Sequence, residues 1–219
     1  MKLKIRERRQ KSLRNMFRLI AFDLDGTLVE FNIPFEEIRR VLGIKGRFIL
    51  EEILSERDED KKREMLKVLE AYELRSAENA KLAFYAKELL EFLKRRGVFY
   101  GILTRNSRKS VEVISRKFKL DFDFVITRED ANPKPSPEPM KIVLRKFDVE
   151  PSSALLVGDF LFDLLTGKNA GVKTALIVHE RNKNMVESFK MYADYIFSSL
   201  KELAEFLEGE YDPKRPSEI

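Results

Sequence analysis

Six polar side chains that lie after or between short apolar runs have the types that chemistry at a phosphoryl group requires. These residues are Asp23, Asp25, Thr104, Lys134, Asp159 and Asp163. Carboxylates crowded into one site repel one another and raise one another's pKa unless a cation neutralises them. Oxygen ligands without His or Cys favour a hard cation, and Mg²⁺ fits best. A divalent ion, an ammonium group and a hydroxyl around one point would bind phosphoryl oxygens and offset the charge that grows on them.

The spacing of Asp23 and Asp25 adds a chemical detail. They stand two residues apart at the end of an apolar run, so one carboxylate can attack while the other handles protons. An Asp after a buried strand is often only a helix or turn cap, and a lysine in a proline-rich loop is often only a surface residue. Capping does not readily explain Asp23 and Asp25 together with Asp159 at a neighbouring strand end. Asp163 also has a simple alternative interpretation as a charge in the first turn of a helix.

The elements that must position these residues alternate between short β-branched or aromatic runs and helical patterns, which is typical of a parallel sheet with crossover helices. The predicted strands are 19–22, 98–103, 124–126, 154–157, 174–178 and 195–197. The predicted helices include 82–96, 107–118, 137–147, 162–170 and 200–207. Ligands of such sheets bind at the carboxyl ends of the strands. We therefore expect an α/β fold whose Rossmann-like parallel sheet brings the six polar side chains to one edge.

The segment between the first two predicted strands is too long for a single crossover. It has helical periodicity and no strand pattern, whereas one crossover requires only about a dozen residues. Its last helix ends at Gly97 and can serve as the ordinary crossover, so most of the segment is predicted to be an inserted helical domain. The predicted divisions are a basic extension at 1–17, an α/β core at 18–30 and 80–208, a helical insertion at 31–79 and a tail at 209–219.

Four short motifs along the chain resemble those of the haloacid dehalogenase superfamily. FDLDGTL at 22–28 resembles its first motif, and LTRN at 103–106 resembles its second. KP at 134–135 resembles the third motif, and GD at 158–159 with Asp163 resembles the fourth. The motifs occur in the family's order, and the resemblance covers about 19–207. The helical insertion directly after the first motif is similar to the C1 cap of phosphoglycolate-phosphatase-like members.

The resemblance implies a role for each residue of the site. Asp23 would be the nucleophile that forms an aspartyl-phosphate, and Asp25 the acid that protonates the leaving alcohol and then activates the hydrolytic water. Thr104 and nearby backbone amides would bind phosphoryl oxygens, and Lys134 would screen the charge between Asp23 and the phosphate. The implied Mg²⁺ ligands are the Asp23 carboxylate, the Asp25 backbone carbonyl and Asp159, with Asp163 in or just behind the water shell of the ion.

The function that this resemblance implies is a Mg²⁺-dependent phosphatase acting on small phosphomonoesters, so its partner would be a small phosphorylated metabolite. A phosphomutase is the nearest alternative, because transfer of the phosphoryl group back to a sugar uses the same residues. Dehalogenases of the superfamily attack carbon and do not keep the second aspartate of the first motif with a bound Mg²⁺. The presence of Asp25 therefore argues against dehalogenation.

Composition excludes several other classes of protein. The chain has no Cys and a single His, so it has no disulfide scaffold, cysteine nucleophile or His-rich metal site. The one histidine, His179, follows the fifth predicted strand without a matching polar cluster, which indicates a structural or surface side chain. No apolar run approaches the roughly 18 residues of a membrane span, and no secretory signal is visible, which predicts a cytoplasmic protein. Abundant Lys, Arg and Glu with one Gln are typical of proteins from hot environments.

The positive charge of the chain is concentrated in its N-terminal segment, which leads to a second hypothesis for that segment alone. Eight Lys or Arg residues and Glu7 give residues 1–18 a net charge of +7, which leaves −2 for the rest of a chain whose total is +5. The simpler interpretation of this segment is an extension without a function of its own. A basic arm can also bind phosphate backbones, so binding of nucleic acid through the arm is an alternative function. The remainder has no net basic excess, which argues against a nucleic-acid interface on the folded body.

Overall fold

The computed structural model describes residues 17–209, so the predictions for the basic extension and the C-terminal tail lie outside the described residues, Phe17 and Gly209 excepted. Six strands lie within this range. They are β1 (Leu19–Phe22), β2 (Phe99–Leu103), β3 (Phe124–Ile126), β4 (Ala154–Gly158), β5 (Lys173–Ile177) and β6 (Tyr195–Phe197). All six predicted strands are present, and none of their ends moves by more than one residue.

The six strands form one sheet in the order β3-β2-β1-β4-β5-β6, and every neighbouring pair is parallel. The chain moves from β1 through β2 to β3 on one side and then returns to β4 on the other side of β1. This reversal makes the carboxyl ends of β1 and β4 the switch point of the sheet, where ligands of open α/β sheets bind. The predicted α/β fold with a Rossmann-like parallel sheet is confirmed.

Nine α-helices connect or flank these strands within the described residues. They are α1 (Phe35–Leu42), α2 (Ile49–Ser55), α3 (Glu59–Glu78), α4 (Ala86–Arg96), α5 (Arg108–Phe118), α6 (Glu138–Phe147), α7 (Leu161–Ala170), α8 (Val186–Phe189) and α9 (Leu200–Glu208). Local sequence explains several of the ends. The Asp58 side chain accepts hydrogen bonds from the first-turn amides of α3, and the Ser107 side chain caps α5 in the same way. Gly97 ends α4 in a left-handed conformation.

Helix α4 begins four residues later than the sequence predicts. Leu82 forms an isolated bridge with Val29, and the Ala83 amide donates to the Leu28 carbonyl at 3.0 Å. These bonds commit the backbone to an extended path, and Tyr85 then turns it through a left-handed conformation with φ of 68°. The apolar periodicity that predicted a helix from Leu82 instead serves this pairing with the chain after β1.

Both faces of the sheet are covered by helices. Leu19 and Ala21 on one face of β1 pack in a cluster with Met140 of α6, while Ile20 and Phe22 on the opposite face are equally inaccessible. Helices α4 and α9 pack against each other, α4 against β2 and α9 against β6. Burial on both faces explains why these strands have continuous apolar runs and no alternation.

The described chain divides into two compact units. The first contains the whole sheet and comprises 17–30, 81–105 and 121–209, and the second comprises Phe31–Ala80 and Asn106–Leu120. Within residues 17–209, no helix combines the length and apolar character needed to cross a bilayer.

The second unit has its own apolar core and includes a helix that the sequence predicted as part of the α/β core. Ile38, Ile53 and Leu69 are buried together within this unit. Helix α5 belongs to the second unit because α3 packs along α5. The Ser107 amide donates to the buried Glu73 carboxylate at 3.1 Å, and Lys109 pairs with Glu70 at 2.6 Å. The predicted insertion at 31–79 thus packs as one compact body with 106–120.

Candidate active site

The carboxyl ends of β1 and β4 bring the first acidic side chains together. Asp23 follows β1 directly, and its amide donates to the Val157 carbonyl of β4 at 2.8 Å, which fixes the two strand ends against each other. Asp159 follows β4, and Asp163 lies in the first turn of α7. One carboxylate oxygen from each of Asp23, Asp159 and Asp163 lies within 4.8 Å of the others.

Lys134 places an ammonium group among these carboxylates. Its side chain is 3% exposed, and Nζ donates to Oδ1 of Asp23 and, at 2.5 Å, to Oδ1 of Asp163. The same Asp163 accepts a hydrogen bond from the Phe160 amide through Oδ2 at 3.1 Å, so its two oxygens have different partners. Asp163 is therefore a first-turn charge of α7, as its simpler interpretation predicts, and it also accepts from the Phe160 amide and pairs with the buried lysine.

An arginine that the sequence did not mark as functional fixes the loop that carries Lys134. Arg105 Nη1 donates to the Lys134 carbonyl at 2.5 Å, and its guanidinium lies 4.7 Å from the centroid of the Phe162 ring. Arg128 in turn donates to the Arg105 carbonyl at 3.1 Å. The side chains of Arg105 and Arg128 thus fix the backbone of the loop that carries Lys134. These contacts restrain the position of Nζ although Lys134 does not lie in a helix or strand.

Thr104 and Asp25 follow the neighbouring strands β2 and β1 and are positioned by backbone bonds. Thr104 is buried at the end of β2, and its amide donates to the Ile126 carbonyl at 2.9 Å. Asp25 is half-buried in a tight turn that is closed by the Gly26 amide donating to the Val29 carbonyl at 2.8 Å. Asp25 is not a member of the three-carboxylate cluster. The catalytic roles of Asp25 and Thr104 stay predictions.

The structure corrects the interpretation of His179. The sequence predicts no polar cluster around this residue, but His179 Nε2 lies 2.9 Å from Oδ2 of Asp159. The reason is the sheet order, because β5 is the immediate neighbour of β4 and their carboxyl ends lie side by side. Asn182, three residues further along, donates to the Asp159 carbonyl at 2.8 Å. Both residues belong to the site, and the sequence prediction missed them.

Burial is the largest cause of the raised pKa values in the carboxylate cluster. Burial raises the pKa of Asp23 well above its ordinary value, with Lys134 acting against this shift and Asp163 adding to it. Burial also raises the pKa of Asp159, which the hydrogen bond from His179 partly counteracts. Burial alone would lower the pKa of Lys134, but the Asp163 and Asp23 carboxylates outweigh it and raise this pKa.

The donor set of this cluster fits a divalent cation. The three ligand groups are all carboxylates, which suits a hard ion such as Mg²⁺. Three carboxylates share one ammonium group, so a further positive charge would stabilise their ionised form. Asp23, Asp159 and Asp163 are the side chains that would hold the ion.

Gly26 gives the Asp159 carboxylate its space. Its φ is +89°, and a Cβ at this position would overlap the Asp159 side chain. We expect Gly26→Ala to lower stability by about 2 kcal/mol or more and to reduce activity. The backbone strain of a positive φ and the overlap of the added Cβ with Asp159 both destabilise the folded state. Gly43→Ala is the matched control, since its φ is also positive, +66°, and no atom lies within 4 Å of the added Cβ. Urea unfolding and turnover of both variants measure the difference, and equal losses would contradict a close fit at Asp159.

A family model described as haloacid dehalogenase-like hydrolase matches residues 30–177. Among curated relatives, the pyrophosphatase PpaX of Bacillus cereus is 32% identical, over 87% of this chain and 96% of its own length. A hydrolase of Saccharomyces cerevisiae that is named as uncharacterised is 27% identical, over 88% of this chain and 91% of its own length.

Solved structures have the same fold. The crystal structure of a hydrolase from Pseudomonas syringae superposes with a TM-score of 0.73 at 18% identity, covering 89% of this chain and 100% of that one. A protein of Haemophilus somnus, named a predicted phosphoglycolate phosphatase, superposes with a TM-score of 0.66 at 23% identity, covering 87% of this chain and 98% of that one. Both have the α/β architecture described above.

Proposed function

The chain belongs to the haloacid dehalogenase-like hydrolases, and from this premise we propose that it is a Mg²⁺-dependent phosphatase of small phosphomonoesters. The observation that carries the proposal is the buried group of Asp23, Asp159, Asp163 and Lys134 at the switch point of the sheet. Relatives named pyrophosphatase and phosphoglycolate phosphatase support chemistry at phosphorus. The substrate class, a small phosphorylated metabolite, and a cytoplasmic location are parts of the same proposal.

In the proposed reaction Asp23 attacks the phosphorus, and the bond between phosphorus and the alcohol oxygen breaks. Asp25 donates a proton to the leaving alcohol, which produces an aspartyl-phosphate on Asp23. Asp25 then removes a proton from the water that attacks the phosphorus, so inorganic phosphate leaves and Asp23 is regenerated. Lys134 touches Asp23 and offsets negative charge during both steps. Thr104 binds a phosphoryl oxygen.

Asp23, Asp159 and Asp163 would hold the Mg²⁺ ion, with the Asp25 carbonyl as a further ligand. A bound divalent cation supplies positive charge that polarises the phosphoryl group and lowers the repulsion between a carboxylate nucleophile and a phosphate anion. The helical insertion at 31–79 is proposed to act as the cap of the family, which selects small substrates and excludes bulk water.

Two other reactions use the same groups. A phosphomutase would return the phosphoryl group to a sugar, and pyrophosphate hydrolysis is favoured by the name of the relative that is 32% identical. Nucleic-acid binding through the basic N-terminal segment is a separate hypothesis, because the charge of that segment lies outside the site. Deleting residues 1–15 should remove any salt-sensitive nucleic-acid binding and leave phosphatase turnover intact.

Removal of Mg²⁺ gives the direct test of the proposed reaction. We expect inorganic phosphate release from a panel of sugar phosphates, phosphoglycolate, nucleotides and pyrophosphate, and we expect chelation with EDTA to lower it at least tenfold. Added Mg²⁺ should restore it, because the carboxylates again gain a neutralising cation. Phosphate release is measured colorimetrically, and isomerised sugar phosphates are measured by chromatography.

Each outcome of this panel has a distinct meaning. Isomerised sugar phosphate without phosphate release would identify a mutase, and release from pyrophosphate alone would identify a pyrophosphatase. Turnover that EDTA leaves unchanged would contradict the metal-dependent reaction. No turnover on any compound, with the fold intact, would contradict the proposed phosphatase.

A further inference from the structure

One short loop after β5 contacts Asp159 at two separate groups. His179 Nε2 lies 2.9 Å from the Asp159 carboxylate oxygen Oδ2, and Asn182 Nδ2 donates to the Asp159 backbone carbonyl at 2.8 Å. Asp159 is proposed above as a side chain that holds Mg²⁺. A loop that fixes both its carbonyl and its carboxylate therefore restricts the two parts of the residue that determine where the ligand oxygens point.

Asn182 anchors this loop firmly. It is 2% exposed, and its Nδ2 also donates to the Ile177 carbonyl at the end of β5, at 2.8 Å. Its Oδ1 accepts a hydrogen bond from the His179 amide at 2.8 Å. Both amide hydrogens and the carbonyl oxygen of the Asn182 side chain are thus used to tie His179 to the ends of two neighbouring strands.

The surroundings of the His179 ring fix which nitrogen carries the proton in the neutral ring. The Arg181 amide donates to Nδ1 at 3.3 Å, so Nδ1 is the acceptor. Nε2 then carries the hydrogen and donates it to Oδ2 of Asp159. An N–H donor at this place orients the carboxylate oxygen that it contacts.

The geometry separates His179 from the ion-holding groups themselves. In the described part of the chain, the one cluster of mutually close ligand atoms consists of the three aspartates and leaves out His179. On the other side of the contact, Gly26 approaches the Asp159 carboxylate so closely that a Cβ would overlap it. The carboxylate is therefore restrained by a hydrogen bond and by packing together.

We propose that His179 is a positioning residue that holds the Asp159 carboxylate in the orientation required for divalent cation binding. The inference rests on the proposed function, because it concerns the cation of that reaction. Groups that hydrogen-bond to a metal ligand fix its orientation, and their loss typically weakens metal affinity about 10- to 100-fold. His179 acts through Asp159, so its effect should fall on the affinity for the ion, and turnover at saturating ion should change much less.

The test is Mg²⁺ binding to the full-length protein, measured by isothermal titration calorimetry without substrate. We expect His179→Ala to raise the Kd for Mg²⁺ about tenfold. His179→Gln should recover most of the affinity, because its side-chain amide can also donate. Lys183→Ala is the matched control, since it removes only an exposed ion pair to Glu180 in the same loop. This control should bind Mg²⁺ as the unchanged protein does.

Asp159→Asn separates failure of this inference from failure of the proposed function. If Asp159→Asn abolishes Mg²⁺ binding while His179→Ala binds normally, the metal site stands and the positioning role of His179 is wrong. If Asp159→Asn binds Mg²⁺ normally, the proposed metal site itself is wrong. Equal weakening in His179→Ala and His179→Gln would also overturn the role of His179 as a hydrogen-bond donor. Thermal unfolding of each variant verifies that it is folded, and the Gln variant remains informative if the Ala variant is not.

Discussion

Asp23→Asn is expected to lower phosphate release about 10⁴-fold or more, because an amide cannot act as the attacking carboxylate and removal of a catalytic nucleophile has effects of this size. The substitution preserves the shape of the side chain at the end of β1. Turnover of the purified variant is measured at saturating Mg²⁺ with the best substrate of the panel. A variant that retains more than about a hundredth of the activity would contradict the proposed nucleophile.

The same substitution is not expected to destabilise the metal-free protein at neutral pH. The raised pKa of Asp23 means that above its ordinary value of 3.8 the native state holds a proton that the unfolded state releases. Stability therefore falls as the pH rises from that value through the raised native pKa, and Asn removes this loss. Lys134 keeps its pairing with Asp163 in the variant. The melting temperature of Asp23→Asn in EDTA at pH 7 should equal or exceed that of the unchanged protein.

Asp121→Asn is the matched control for Asp23→Asn. Asp121 has an 84% exposed side chain and a single long ion pair with Lys94 at 3.4 Å, so the same chemical change there should leave turnover and melting temperature unaffected. Loss of activity in both variants would indicate a fault of the preparation. Loss of activity in Asp23→Asn together with a collapsed melting temperature would contradict a specifically chemical role for Asp23.

The positions of the carboxylates could be predicted from the sequence because they follow directly from strand order. Asp23 and Asp159 each come one residue after a buried strand, and parallel strands place such residues at one edge. Recognition of the two strands is therefore enough to predict that Asp23 and Asp159 lie close together. Lys134 is different, since it lies in a loop with no regular element, and nothing except the motif resemblance indicated that its side chain would be buried among aspartates.

The residues that the prediction missed depend on contacts that no local pattern encodes. His179 follows a strand as Asp159 does, but its partner lies 20 residues earlier in the chain on the neighbouring strand. The expectation that side chains after parallel strands meet at one edge applies to His179 as well, but the sequence around it has no polar cluster that matches those after the other strands. Glu73 shows the same limit, because its partner is the backbone amide of Ser107 and a backbone group has no sequence signature.

The beginning of α4 shows how tertiary pairing overrides helical periodicity. Apolar spacing from Leu82 onward fits a helix, but Leu82 bridges to Val29 and the helix starts only at Ala86. The four residues before the helix lie in the first unit, and their pairing with the chain after β1 determines their conformation. Periodicity shows which side chains are apolar, but it does not show which part of the chain they pack against.

Lys134→Met is expected to have the second large effect, on stability as well as on turnover. Methionine preserves much of the side-chain length but leaves Asp23 and Asp163 without their shared ammonium group in a buried site. Removing one partner of a buried ion pair typically lowers stability by about 3–5 kcal/mol. We expect a loss of that size in urea unfolding in EDTA and a fall in kcat of about 100-fold or more with Mg²⁺ present.

Lys168→Met separates this effect from the general loss of a lysine. Lys168 pairs with Asp194 at 2.9 Å, but that carboxylate keeps Lys173 at the same distance, so the expected change in stability is within about 1 kcal/mol. Mg²⁺ should also raise the melting temperature of Lys134→Met more than that of Lys168→Met, because the first variant has the larger excess of buried carboxylates over positive charge. Equal stability of the two variants in EDTA would mean that the ion pairs of Lys134 do not stabilise the folded cluster. The contact between Lys134 and Asp23 would then contribute to the reaction and not to stability.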